Sequence, residues 1–295
     1  MSAAEAPASA RSDLLVADSP RRRGLPARFL RSELGIIYGR RRNLALLAVL
    51  IAIPVLLAVA IKLSNDGGPQ GGGPGFFDAI TGNGLFVAFA ALAAELPLFL
   101  PLAVAAVAGD AVAGEANLGT LRYLLTIPAG RTRLLLTKYA AVLIYGLVAT
   151  VVVALAGVLA GLALFGGGDV VLLSGTTTSL ADGVGRLALS VLYLSACLAA
   201  LGAIGLFIST LTEQPIAAIV ATIGVDVLMF ILDNVPQLGW LHPWLPVHWW
   251  SAFGDLLRDP VATDAISRGL LTTLAYVVVF LAAAWARFSG KDVTS

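Results

Sequence analysis

Six long apolar runs alternate with polar stretches along the chain: Leu44–Leu63, Leu85–Ala108, Tyr139–Phe165, Leu187–Leu211, Ile216–Leu232 and Leu270–Arg287. Each is close to the ~20 residues that cross a ~30 Å hydrocarbon core at ~1.5 Å per residue. The pattern predicts an all-α polytopic membrane protein whose six-span transmembrane domain covers residues 44–290. Pro215 suits the first turn of the fifth span. Only Thr212, Glu213 and Gln214 separate spans 4 and 5, so these two should form a tight antiparallel hairpin.

The polar stretches differ in kind. Residues 1–25 carry Ala, Ser, Pro and charge without apolar period, and are expected to be a disordered tail. The first apolar run begins too far along the chain for a cleaved signal peptide and is expected to act as a signal anchor. In residues 26–43, Phe29, Leu30, Leu34, Ile37 and Tyr38 fall at helical spacing. Arg28, Arg31, Glu33 and Arg40–Arg42 lie between or beyond them. This suits an amphipathic helix lying in the membrane interface. The Gly- and Pro-rich stretch Asn65–Gly84 and the Gly/Thr-rich stretch Gly166–Gly185 are expected to be loose connections. Asp233–Ser267 instead brings Trp240, Trp244, Trp249 and Trp250 together with Pro243 and Pro246. Trp prefers the membrane–water interface, so short broken helices that re-enter the membrane are expected before span 6.

Between spans 2 and 3 lies Gly109–Lys138, the one long polar segment between apolar runs that is rich in positive charge, with Arg122, Arg131, Arg133 and Lys138. From Gly114 to Leu125 it has Leu118, Leu121, Leu124 and Leu125 at 3–4 spacing, an amphipathic helix pattern. Pro128 and Gly130 should end it.

Composition agrees with the pattern. The chain has 295 residues, 58% hydrophobic and 13% charged, with a mean hydropathy of +0.90. A soluble domain carries roughly 25% charged residues. The net charge of +1 implies no general attraction to nucleic acid. The single Cys197 excludes an internal disulfide. Lys and Arg are unevenly placed. Nine precede span 1, four lie in the Gly109–Lys138 segment and two, Arg287 and Lys291, lie at the C-terminal end, whereas Lys62, Arg186, Arg258 and Arg268 fall on the other side. Both termini and the Gly109–Lys138 segment are therefore expected to be cytoplasmic.

From about Pro26 onward the chain resembles the permease subunit of type-2 ABC exporters. The resemblance is carried by Gly114-Glu115, Gly119-Thr120-Leu121, Leu124-Leu125, Pro128, Arg131, Arg133 and Lys138, which follow that family's "GE…GTL…LL…P…R…K" pattern. The six spans, the interfacial helix, the short turn between spans 4 and 5, and the broken outer segment match as well. The resemblance implies that this segment is a cytoplasmic coupling helix seated on a separate ABC ATPase subunit. Glu115, Gly119, Thr120, Leu121, Arg122, Leu124 and Arg131 would be its ATPase-coupling residues. Leu121, Leu124 and Leu125 would anchor the helix to the bundle, and Arg131, Arg133 and Lys138 would flank the start of span 3 at headgroup level. For these cations the positive-inside effect is the simpler alternative. For Glu115 and Glu213 the alternative is a solvated loop carboxylate. No phosphate-binding G-x-x-x-x-G-K-[ST] occurs, so no cofactor is expected on this chain; ATP and Mg would sit on the partner, present in two copies. A second permease copy, identical or a sister chain, would complete the transporter. The Ala/Arg/Gly-rich, Lys-poor composition points to a bacterial plasma membrane.

Within the spans, Glu95 and Asp226 are costly at about 2.5–3.5 kcal/mol each and should face protein or a cavity. Glu95 lies in AELPLFLP, where Pro97 and Pro101 should kink span 2. It would either line a translocation path or hydrogen-bond between helices; Asp226 is expected to be structural. Candidate path residues are Phe86, Phe89, Glu95, Phe99 and Phe230. Gly157-x-x-x-Gly161 is expected to serve helix packing. His242 and His248, the only histidines, supply too few ligands for a metal and are expected to pack at the interface. An ion-coupled secondary transporter using Glu95 and Asp226 is the alternative, although no internal repeat supports it. No cluster of nucleophile and base suggests an enzyme. The lack of a charged intramembrane cluster favours apolar or amphipathic cargo.

Overall fold

The computed structural model describes residues 25–66, 83–119 and 130–290. Helix α1 (Leu25–Gly39) leads through a corner at Arg40 into α2 (Arg41–Asp66). Then come α3 (Leu85–Glu95), α4 (Phe99–Asn117), α5 (Arg131–Phe165), α6 (Leu180–Leu211), α7 (Pro215–Asp233) and α8 (Thr263–Ser289). Among the described residues, α2, α4, α5, α6, α7 and α8 are long and apolar enough to cross a membrane, as the six apolar runs predict.

Most helices extend past the apolar runs. Helix α5 starts eight residues before Tyr139, because Arg131, Arg133 and Lys138 are good helix formers and continue the turn pattern. Span 2 is split in two. Leu96–Leu98 form a turn between α3 and α4 around Pro97, which removes an N–H from the ladder, while Pro101 sits in the first turn of α4, where it is tolerated. The expected kink is thus a full break.

Helices α4 and α6 form the centre: about two thirds (67%) of the most apolar stretch of each is buried, against 17% for α8. Helix α5 packs on α3, α2 and α6; α7 packs on α4 and α6; α8 packs along α6. The 212–214 turn makes α6 and α7 the expected hairpin. Helix α3 lies very close to α5. A Cβ on Gly161 would stand 1.9 Å from the carbonyl oxygen of Gly84, and one on Gly157 would stand 2.5 Å from the Cα of Ala88. The Gly157/Gly161 pair therefore does serve packing, and only small residues fit there.

One connection departs from expectation. Gly166–Gly185 is not a loose loop. Val170–Val171 (β1) and Thr177–Thr178 (β2) pair as an antiparallel two-stranded ribbon, Val170 is buried, and Ser179 caps α6 by accepting from the Asp182 N–H at 3.2 Å. Arg186 then donates to the carbonyls of Leu256 and Arg258, each at 2.8 Å, which ties α6 to the segment before α8. That segment, 236–257, holds two three-residue 3-10 turns, Pro236–Leu238 and His242–Trp244, and a 12-residue 3-10 helix, Pro246–Leu257, each with a proline in its first turn, in line with the broken helices expected there. Trp249 and Trp250 point inward, whereas Trp240 and Trp244 are exposed. Of the expected tail, residues 1–25, all but Leu25, which opens α1, lie outside the described residues, as does most of the Asn65–Gly84 connection.

Candidate functional site

At the end of the bundle that carries α1, charged side chains from four helices converge. Helix α1 presents Phe29, Leu30, Leu34, Ile37 and Tyr38 as a half-buried face against α5 and α2, in line with the amphipathic pattern. Glu33 stands four residues from both Phe29 and Ile37 and so shares that face. Its carboxylate meets the ammonium of Lys138, from the second turn of α5, at 3.2 Å. Lys138 also donates to Glu115, from the last turn of α4, at 2.5 Å. The Lys138 side chain is 1% exposed, whereas Glu33 and Glu115 keep 15% and 14% of theirs exposed, so the ammonium is buried between two partly exposed carboxylates.

A second group lies beside it. Asp110 of α4 pairs with Arg40 at the α1–α2 corner and with Arg42 of α2, the latter at 3.3 Å. Arg42 also donates to the Ala106 carbonyl at 3.3 Å. Three carboxylates thus meet three cations, and the whole cluster is formally neutral. Such balance is needed because an unpaired charge in a low-dielectric setting costs several kcal/mol. The corner itself is held by Asn43, which donates from Nδ2 to the Ile37 carbonyl at 2.9 Å and receives the Tyr145 hydroxyl on its own carbonyl at 3.3 Å. Burial raises the Tyr38 phenol above its ordinary range, and its ring lies 5.9 Å from that of Tyr145.

The end of α4 is also bound from the other side. Ser209 of α6 donates to the Gly109 carbonyl at 2.6 Å and accepts from the N–H groups of Val112 and Ala113, so its hydroxyl is inserted into the backbone ladder of α4. The start of α5 is tied to the end of α8 by Trp285 donating to Thr132 at 2.8 Å and by Arg131 donating to the Ser289 carbonyl. Arg133 lies 6.0 Å from the Phe29 ring, a cation–π contact worth about 0.5–1 kcal/mol. A crevice of about 520 Å³ opens beside the cluster, between α1 and the ends of α4 and α5; Phe29, Ile37, Val107, Leu118 and Val142 form its apolar wall.

This geometry changes the reading of several residues. The expected helix from Gly114 to Leu125 is interrupted. Gly114–Asn117 belong to α4, and Gly119, at φ +69°, ends that helix in the left-handed region that glycine adopts without strain. Asn117-Leu118-Gly119 was the overlooked stop signal. Glu115 is not a freely solvated loop carboxylate: it is half-buried and pairs with Lys138. Lys138 is buried within the protein. Thr120, Leu121, Arg122, Leu124 and Leu125 lie outside the described residues. Glu33, Arg40 and Asp110 were not singled out from the sequence; the position of Glu33 on the apolar stripe of α1 was the available signal. Glu213 is exposed in the 212–214 turn.

Of the candidate path residues, Phe86 and Phe89 lie together, with ring centroids 6.1 Å apart, whereas Phe230 stands apart from them on the surface. Phe86, Phe89 and Glu95 are buried on α3 against α5 and α2, and Phe99 opens α4, but Phe230 is exposed on α7. Neither Glu95 carboxylate oxygen has a hydrogen-bond partner among the described residues. Asp226 is buried with Ala218, Thr222 and Met229 on the inner face of α7, and its Oδ1 is likewise without one. At the opposite end of the bundle, His242 and His248 are joined by Asp233, from the last turn of α7.

A family match spans residues 45–294. The chain belongs to the family described as Protein of unknown function (DUF2705). The matched region includes Asp110, Glu115 and Lys138 but begins after Glu33, Arg40 and Arg42. No curated protein matches the chain.

Proposed function

We propose that this chain is the permease subunit of an ATP-driven ABC exporter, forming half of a translocation pathway in a bacterial plasma membrane. It would not be an enzyme itself. Two copies of a separate ABC ATPase, holding ATP and Mg, would drive it, and a second permease copy would complete the path. Both termini and the 118–130 connection would face the cytoplasm.

The observation that carries this reading is the Lys138 clamp. The connection between α4 and α5 leaves the bundle at Glu115–Gly119 and returns at Arg131–Lys138, and one buried lysine joins both flanks to α1. Through Ser209 the same end of α4 is fixed to α6. A force applied by a partner to the 118–130 connection would therefore reach α1, α4, α5 and α6 together, which is what a coupling element requires. The crevice beside it mixes apolar wall and charge, in keeping with amphipathic cargo.

The test is co-purification in detergent with a co-expressed candidate ABC ATPase subunit. Leu118→Arg is the variant of choice, because Leu118 is 68% exposed and its loss leaves the clamp intact. The wild type should hold the ATPase and raise its ATP turnover, and the variant should lose both while keeping its melting temperature.

One observation favours a second reading. A buried glutamate with both oxygens unpartnered, beside a broken helix, suits a site that takes up a proton or cation in an ion-coupled transporter, with Asp226 as its companion. If no ATPase associates, and uptake into proteoliposomes follows an imposed proton gradient and is abolished by Glu95→Gln, this second reading replaces the first.

A further inference from the structure

We propose that Asp233, His242 and His248 form a binding site for a first-row divalent cation, with Zn²⁺ as the best fit, at the end of the bundle opposite α1. One ring nitrogen of each histidine and one carboxylate oxygen of Asp233 lie within 4.8 Å of one another. The donors come from two parts of the fold: Asp233 ends α7, and the histidines stand on the 3-10 turns that lead toward α8. Sequence spacing alone could not assemble them, because the third ligand is nine residues from His242 and on a different element.

The geometry already favours a shared ion. His248 Nδ1 lies 2.7 Å from Asp233 Oδ1, and the two imidazole rings are 5.7 Å apart and tilted by 34°. His242 Nε2 rests 3.1 Å from the Val235 carbonyl. A tetrahedral ion with bonds of ~2.0–2.1 Å would draw its donors to about 3.3 Å from one another. Side-chain rotation supplies that closure, with His242 leaving Val235 and the metal replacing the proton between His248 and Asp233. The backbone beneath is held in place. Pro236, Pro243 and Pro246 start the three turns, and Trp249 donates from its indole to the Pro243 carbonyl at 3.0 Å. The Trp249 ring meets His248 edge-on at 4.9 Å.

Donor chemistry selects the ion. Two imidazoles and one carboxylate suit Zn²⁺, Co²⁺ or Ni²⁺ and disfavour Ca²⁺ and Mg²⁺, which take oxygen ligands. All three side chains are half-buried, so the ion would enter from the surface and keep one position for water. Bound there, it would staple the end of α7 to the segment before α8. The proposal is independent of the permease reading.

The experiment uses the full chain in detergent, with any affinity tag removed and chelator-stripped. Co²⁺ is titrated and read by its visible d–d absorption, with Zn²⁺ displacement and Mg²⁺ as controls. The expected result is one Co²⁺ per chain with a tetrahedral spectrum, displaced by Zn²⁺ but not by Mg²⁺. Zn²⁺ should also raise the melting temperature of the wild type. Asp233→Asn and His248→Gln should each weaken Co²⁺ binding by tenfold or more, and His242→Gln is a third arm should either of those fail to fold. Absence of stoichiometric Co²⁺ binding by the wild type overturns the proposal, as does binding that folded Asp233→Asn and His242→Gln variants leave unchanged; the triad would then be a hydrogen-bonded turn.

Discussion

The two ends of the helix bundle are closed by opposite means. The end that carries α1 is closed by charge: Glu33, Glu115 and Lys138 form one group, and Arg40, Arg42 and Asp110 the other. The opposite end is closed by backbone and aromatic contacts. There Gly84 and Gly161 touch, the Gly84 N–H donates to the Gly166 carbonyl at 3.1 Å, Tyr193 donates to the Trp249 carbonyl at 2.7 Å, and Arg186 anchors the segment before α8. Ion pairs resist rearrangement only while every partner stays in place, since losing one strands the others. Backbone contacts fail one at a time and at lower cost. The first end therefore suits a two-state joint, and the second a fixed seam.

Predictions follow that contrast, beginning with the largest effect. Lys138→Ala should destabilise the protein by up to about 3–5 kcal/mol, since it leaves two largely buried carboxylates without their shared cation. Thermal unfolding in detergent measures the loss. Adding Glu33→Gln and Glu115→Gln to Lys138→Met should restore most of it; if the triple variant is no more stable than Lys138→Met, the clamp is not electrostatic. At the other end, Gly161→Val should push α3 from α5 and cost about 1–3 kcal/mol or more, with no rescue by any change of charge. Tyr193→Phe removes one buried hydrogen bond and should cost about 1 kcal/mol. The smallest effect is that of Ser179→Ala, which uncaps α6 and should cost about 0.5–1 kcal/mol. Equal losses from Lys138→Ala and Ser179→Ala would erase the difference between the two ends.

How much of this was legible in the chain depends on the kind of signal. Apolar length and helical spacing foretold the spanning helices, the face of α1 from Phe29 to Tyr38 and the hairpin across Thr212–Gln214, and the prolines foretold a distortion near Pro97, which proved to be a full break rather than a kink. These are local properties, set within one or two turns of backbone. The Gly166–Gly185 stretch was misjudged because Gly and Thr composition speaks only to freedom of the chain, while the burial of Val170 against the bundle decides that the ribbon forms. Gly119 was misjudged for another reason: a regular leucine spacing outweighed a helix stop that rests on one backbone angle.

By itself the sequence determined that the chain is helical, membrane-spanning in composition and unevenly charged, because hydrophobic burial and positive charge are additive along the chain. Only the tertiary structure decided which charges meet. Glu33 and Lys138 are 105 residues apart, Arg42 and Asp110 are 68, and Asp233 and His248 are 15. A pairing of that kind depends on the direction and register of packed helices, and no periodic pattern encodes it; electrostatic energy falls with distance in space, so chain position alone could not reveal that Lys138 lies buried between two glutamates.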